Sequence, residues 1–252
     1  MSRPQASTVL GRQALAEFLG SAGLVTVVIG SGIAAQRLSP DDVGLQLLES
    51  ALATGAGLVA LILAFGPVSG GHFNPVVTLA DRFFGGVTNH QVAVYLPAQL
   101  AGGVVGAVVA NLMFDLPAVS ISGTERSAGG LWLSEAMATF GLVVLIFALV
   151  RAGGSARAPF AVGAYITGAY WWSSSTSFAN PMIDLARTLS DTFAGIAPSS
   201  VPMFLLMQLA GGAAAVVVVS LLHPEAAITA DEVVVPHAGT GTPAHRPGQE
   251  ES

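Results

Sequence analysis

Cysteine and lysine are both absent from this 252-residue chain, and charge of either sign is scarce: 9 Arg and 15 acidic residues amount to 10% of the sequence. A soluble domain carries roughly a quarter charged residues, so this surface is not built for water. The missing cysteines exclude disulfides, thiolate metal sites and cysteine nucleophiles, and they leave the redox compartment unmarked. A formal net charge of -6 without a basic cluster excludes a nucleic-acid surface. His72, His90, His223, His237 and His245 show no i, i+4 ligand spacing, so neither a metal nor a cofactor is expected. With no H-E-x-x-H and no G-x-S-x-G, an intramembrane enzyme is not expected either.

What the chain has is apolar length. Hydrophobic residues make up 52% of it, in runs near 14–35, 45–68, 92–114, 131–150, 158–172 and 201–222. A bilayer-crossing helix needs ~20 such residues, so the expected fold is an all-α membrane protein with six transmembrane helices and the lipid bilayer as its solvent. The first run, after Arg3 and Arg12, is too long for a signal-peptide core and stays as the first helix. Six Arg (3, 12, 82, 151, 157 and 246) fall on one side and three (37, 126 and 187) on the other. The positive-inside rule then predicts a multi-pass protein of the cell (inner) membrane with cytoplasmic N- and C-termini.

Three segments recur in the same order in the two halves. Glu17 and Glu135 each begin E-x5-G-L-V; Asn74-Pro75 and Asn180-Pro181 each open N-P-x-[V/I]-x-L-A; Gln99 and Gln208 each begin QLAGG. Each unit has three crossings, an odd number, so the second enters the membrane from the opposite side and the repeat is inverted. The expected division is 1–116 as the first repeat with a half-helix at 74–84, and 117–130 as the connecting loop. The second repeat is then 131–223 with a half-helix at 180–192, followed by a disordered tail at 224–252, where Pro, Gly, His, Thr and acids replace the apolar pattern.

Asn-Pro is a helix start: the Asn oxygen accepts an orphan backbone N–H, and Pro suits the first helical position, where its missing donor costs nothing. The apolar stretches after Pro75 and Pro181 are too short to span. Starts flanked by SGGH (Ser69–His72) and SSSTS (Ser173–Ser177) must line a wet cavity or be buried in protein. Inverted symmetry brings them together, so two re-entrant half-helices meeting near the midplane are expected. The amides of Asn74 and Asn180 then project their donors into a passage that repels cations.

GHFNPVVTLA (Gly71–Ala80), the second Asn-Pro motif, AEFLG (Ala16–Gly20) and AQLAG (Ala98–Gly102) together resemble the aquaporin and aquaglyceroporin family of major intrinsic proteins, over roughly residues 12 to 222. The resemblance implies six helices plus two half-helices, a homotetramer with one pore per subunit, and passage of small neutral solutes. The chain departs from the family's Asn-Pro-Ala at Val76 and Met182. The Arg that usually follows the second motif is replaced by Ile183. Counted without gaps, the implied filter positions are Thr54, Gly168, Ser177 and Ile183, a ring wider and less polar than a water filter. Asp184 matches an Asp of aquaglyceroporins. Glycerol-like polyols and arsenous acid, with some water, are therefore the expected solutes.

Other polar residues have plainer readings. Glu17 and Glu135 are expected to hold the re-entrant loop of their own half, and Gln99 and Gln208 to make interhelical contacts beside Gly102 and Gly106. His72 is more simply a structural hydrogen-bonding residue than a pH gate. The favoured reading of Arg187 is an ion pair with Asp184 or Asp191 rather than a replacement filter charge. Trp132, Trp171 and Trp172 read as interface anchors. A secondary transporter with broken helices is the alternative function, but Asp184 is the only carboxylate near the half-helix starts that ion coupling would use.

Overall fold

The computed structural model describes residues 6–223. Arg3, His237, His245, Arg246 and the tail 224–252 lie outside the described residues, as does the expectation that the tail is disordered. Among the described residues the order is α1 (Ala6–Leu38), α2 (Val43–Ser69), α3 (Pro75–Phe84), α4 (Asn89–Met113), α5 (Gly129–Arg151), α6 (Ala158–Trp172), α7 (Pro181–Arg187) and α8 (Val201–Leu222), with no strand. Helices α1, α2, α4, α5 and α8 are long and apolar enough to cross a bilayer. Helix α6 has 15 residues, about 22 Å of rise. It is preceded by a 3-10 turn at Ser155–Arg157.

Large apolar side chains stand exposed on the long helices, among them Leu19, Leu63, Leu100, Phe160 and Leu206, as a lipid surround allows, while Glu17, Glu135, Gln99 and Gln208 are fully buried. Helix α1 packs chiefly on α4 and α2, α5 on α8, and α2 on α6; α3 and α7 each touch both α4 and α8. The pattern maps onto itself when α1–α4 is exchanged for α5–α8, as an inverted repeat requires. Glycines set the crossings: a Cβ on Gly102 or Gly106 of α4 would collide with the carbonyl oxygen of Phe18 or Ala22 of α1, and one on Gly211 of α8 with that of Ala136 of α5. Close backbone approach through small residues is how helices associate where no hydrophobic driving force separates them from lipid.

Two boundaries differ from the sequence expectation. Helix α7 stops at Arg187 rather than continuing to residue 192, because the carbonyls of Thr188 and Leu189 are taken by Ser122 N (2.9 Å) and Ser120 N (3.0 Å). The connector runs over 114–128 and lies across the exit of α7: besides those bonds, Gly123 N donates to Asp191 Oδ1 at 3.0 Å and Ala197 N to Thr124 O at 2.7 Å.

Helices α2 and α6, one from each half, meet tightly where a Cβ on Gly163 of α6 would lie 2.7 Å from the carbonyl oxygen of Gly55 and one on Gly55 2.9 Å from that of Gly163. Gly163→Val must push α2 and α6 apart, with an expected loss of about 1–3 kcal/mol. Unfolding in an SDS titration checks this, and a midpoint equal to wild type would show that the interface is not close-packed there.

Candidate functional site

Each re-entrant loop hangs on a buried glutamate. Glu17 accepts from Ser69 Oγ (2.6 Å), His72 N (3.0 Å), Phe73 N (2.8 Å) and Gln99 Nε2 (2.7 Å). In the second half Glu135 accepts from Phe178 N (2.9 Å), Ala179 N (2.8 Å) and Gln208 Nε2 (2.6 Å). Phe73 and Ala179, each preceding an Asn-Pro, both have φ of 47°, a left-handed backbone that costs an L-residue roughly 1–2 kcal/mol. The glutamate takes the N–H of that residue, and the opposite half takes its carbonyl.

That second contact joins the halves. Asn74 Nδ2 donates to Ala179 O and Asn180 Nδ2 to Phe73 O, both at 2.8 Å. Each Asn oxygen caps its own half-helix, accepting from Val76 N at 2.9 Å and from Met182 N at 3.1 Å. The two starts therefore meet, but one hydrogen of each amide is spent on the facing loop rather than pointed into the passage. Both asparagines still line a cavity of about 60 Å³. Its lining is mixed: Leu24, Leu58, Leu142 and Ile146 are apolar, while Thr54, His72, Ser177 and the two asparagines are polar. Among the described residues no carboxylate lines it.

Of the expected filter residues, Thr54, Ser177 and Ile183 line this cavity and Gly168 does not. Helix α6 presents Val162, Ile166 and Tyr170 instead; Gly168 is two residues from Ile166 and from Tyr170, about 200° around the helix. Gap-free counting back from Asn180 thus arrives on the wrong face. Tyr170, absent from the sequence-based site, hydrogen-bonds Thr54 (Oγ1···Oη 3.1 Å). A tyrosine in a short apolar helix needs a partner for its hydroxyl, which was the available signal.

Val76 and Met182 are buried and face away from the passage. A Cβ on Gly212 of α8 would collide with Val76, and one on Gly103 of α4 would lie 2.6 Å from Met182 Sδ, so the second glycine of each QLAGG receives the third motif residue of the opposite half. Asp184 is also off the passage, with Oδ1 accepting from Gln208 Nε2 at 3.1 Å; its counterpart Thr78 receives Gln99 Nε2 at 2.9 Å. His72 lines the cavity, its Nδ1 3.0 Å from Thr78 Oγ1 and its Nε2 3.4 Å from Asp81 Oδ2. Trp171 and Trp172 are exposed and line neither cavity.

Arg187 departs from its expected ion pairs. Among the described residues neither Asp184 nor Asp191 pairs with it, because α7 ends at Arg187 and Asp191 is bound to the connector. Its Nε donates to Ala194 O, and its guanidinium lies 3.5 Å from the centroid of the Phe178 ring. A second cavity of about 150 Å³ on the connector side is lined by Arg126, Arg187, Ser50 and Thr176, and it shares Val28, Tyr170 and Arg187 with the first. Arg126, which sequence reading left in the connector without a role, donates from Nε to Gly195 O at 2.9 Å and lies 5.2 Å from the same Phe178 ring. Burial holds its guanidinium below the ordinary arginine range, with Glu135 and Tyr170 pulling the other way.

Comparison with known proteins gives a consistent set of relatives. The model of the family "Major intrinsic protein" matches residues 5–173. The chain is 46% identical to the aquaglyceroporin AqpS of Rhizobium meliloti over 216 residues, covering 85% of this chain and 92% of that protein. It is 32% identical to aquaporin TIP1-1 of Arabidopsis thaliana over 63% of this chain and 66% of that protein. The X-ray structure of the aquaglyceroporin from Plasmodium falciparum superposes with a TM-score of 0.68 at 20% identity, covering 87% of this chain and 99% of that one, a likeness of fold.

The seat of Met182 generates a coupling prediction. Gly103→Ala is expected to destabilise by about 1–2 kcal/mol, and the same change in a Met182→Ala chain by much less. A double-mutant cycle in SDS unfolding measures the coupling; additive effects would mean that the two side chains do not compete for that space.

Proposed function

Because the chain belongs to the major intrinsic protein family, the aquaporins and aquaglyceroporins, we propose that it passes glycerol, other small polyols and arsenous acid, with some water, down their gradients. Proteins of this family are channels rather than enzymes, and this chain is a membrane channel for small solutes. The relative of 46% identity bears the name aquaglyceroporin, which supports the polyol reading.

The observation that carries it is the mixed apolar and polar lining of the cavity at the Asn-Pro starts. A polyol presents carbon on one side and hydroxyls on the other. Leu24, Leu58, Leu142 and Ile146 suit the carbon side, and Asn74, Asn180, Ser177 and the loop carbonyls suit the hydroxyls. Ser177 Oγ has no hydrogen-bond partner among the described residues, so it is free for a passing solute. We assign the filter to Thr54, Tyr170, Ser177 and Ile183, with Arg187 on its connector side. Tyr170 makes this ring narrower than one with Gly168 would be, while Ile183 leaves it less polar than a ring with arginine at that position. An ion-coupled transporter finds no support in a lining that, among the described residues, holds no carboxylate.

By the charge rule the termini are cytoplasmic and the connector side faces out; by family resemblance the inner-membrane assembly is a homotetramer. The exchange symmetry of the helix packing supports a reading of the chain as two repeats, proposed at 1–116 and 131–223 with their junction at the 114–128 connector.

In proteoliposomes, glycerol and As(OH)3 are expected to enter well above the rate of empty vesicles; equality with empty vesicles for glycerol, urea, As(OH)3 and water would remove the channel reading. Tyr170→Ala is expected to raise the ratio of five-carbon polyol flux to glycerol flux. Ile183→Arg is expected to cut glycerol more than water, and unchanged ratios in stopped-flow light scattering would take both residues out of the filter.

A further inference from the structure

Two arginines share one phenylalanine in the connector-side vestibule. Arg187 is buried at 4% exposure. Its Nε is bonded to Ala194 O, while its two terminal nitrogens have no hydrogen-bond partner among the described residues. Arg126 gives Nε to Gly195 O and Nη2, at 3.4 Å, to Phe193 O, which leaves Nη1 over. The guanidiniums lie 3.5 Å and 5.2 Å from the Phe178 ring centroid, so the ring holds both at the 150 Å³ cavity that they line.

Among the described residues no carboxylate lines that cavity. Glu135 is turned to Phe178 N, Ala179 N and Gln208. Asp191 is bonded to Gly123 N. Glu125, next to Arg126 in sequence, is exposed and bonded to Ser199 and Ser200. Arg187 is buried and Arg126 half-buried, and although Glu135 acts electrostatically on both and Asp184 on Arg187, no carboxylate among the described residues hydrogen-bonds either. The terminal pair left over on Arg187 and the Nη1 left over on Arg126 match the edge of a planar oxyanion, whose oxygens accept N–H bonds in their own plane. The cavity has room for such an anion together with waters, since one water takes about 30 Å³.

We propose that this vestibule is a binding site for a small planar monoanion of the nitrate or carboxylate type, held between Arg126 and Arg187, and that its occupancy closes the entry to the pore. Closure follows from position: the vestibule and the inner cavity meet at Val28, Tyr170 and Arg187, so an anion on Arg187 stands in the passage. A neutral polyol offers no charge to either guanidinium and does not displace it.

Nitrate is the probe, because it is planar and does not cross lipid as a neutral acid. The flux arm rests on the channel reading; the binding arm does not. In the binding arm, purified wild-type protein in detergent is expected to unfold at a temperature a few degrees higher in nitrate than in a bulky sulfonate of equal ionic strength. Arg126→Gln is expected to lose this gain and Arg126→Lys to keep part of it. In the flux arm, external nitrate at tens of millimolar is expected to lower wild-type glycerol flux by roughly half. Each variant is scored as flux with nitrate over its own flux without, and Arg126→Gln is expected to give a ratio near one. No nitrate-specific stabilisation of the wild type, or the same stabilisation in Arg126→Gln, overturns the site. Stabilisation with undiminished flux overturns the closure.

Discussion

The molecule depends on a reciprocal pair of hydrogen bonds, Asn74 to Ala179 O and Asn180 to Phe73 O, each 2.8 Å long and buried. Neither half satisfies its own loop. The residue before each Asn-Pro turns left-handed, gives its N–H to a glutamate of its own half and its carbonyl to the asparagine of the other. In an apolar surround an unpaired carbonyl or amide costs more than the bond itself is worth in water. The two loops therefore stabilise each other only when both are in place, and the passage exists because they are held tip to tip.

Helix packing supplies the precision that this contact needs. Glycines at the α1–α4, α5–α8 and α2–α6 crossings let backbones approach closely, which sets the depth of Glu17, Glu135 and Thr54 relative to the loops. The second glycine of each QLAGG then takes in Val76 or Met182 from the opposite half. Side chains larger than the family's alanine are thus absorbed behind the half-helices and leave the cavity wall unchanged.

The inverted repeat is followed in the scaffold and abandoned in the chemistry. Thr78 and Asp184 occupy equivalent places, each held by the glutamine of its own half. Farther along the half-helices the equivalent pairs differ in sign: His72 stands beside Asp81 on one side, Phe178 carries Arg187 on the other. The equivalent positions therefore carry opposite charge although one backbone plan builds both, and of Asp81 and Arg187 it is Arg187 that lines the cavities.

Six apolar runs, a duplicated set of motifs and two Asn-Pro helix starts were legible in the sequence because each is local: a run has the length of the bilayer, a repeat is visible by self-comparison, and a cap needs only adjacent residues. The halting of α7 at Arg187 was not legible, since the competing hydrogen bonds come from Ser120 and Ser122, far away in the chain. Nor was the face of α6: whether Gly168 or Tyr170 looks inward depends on how many residues the loop before Asn180 consumes, a quantity that spacing alone leaves open. Arg187 is the sharpest case. Its near neighbours in sequence, Asp184 and Asp191, suggested an ion pair, but tertiary contacts committed both carboxylates elsewhere and laid the guanidinium on Phe178. The sequence by itself determined that this chain crosses the membrane and brings two half-helices together; which side chains face the passage was decided by packing between distant segments, because a helix turns by about 100° per residue and only its neighbours settle which side is inside.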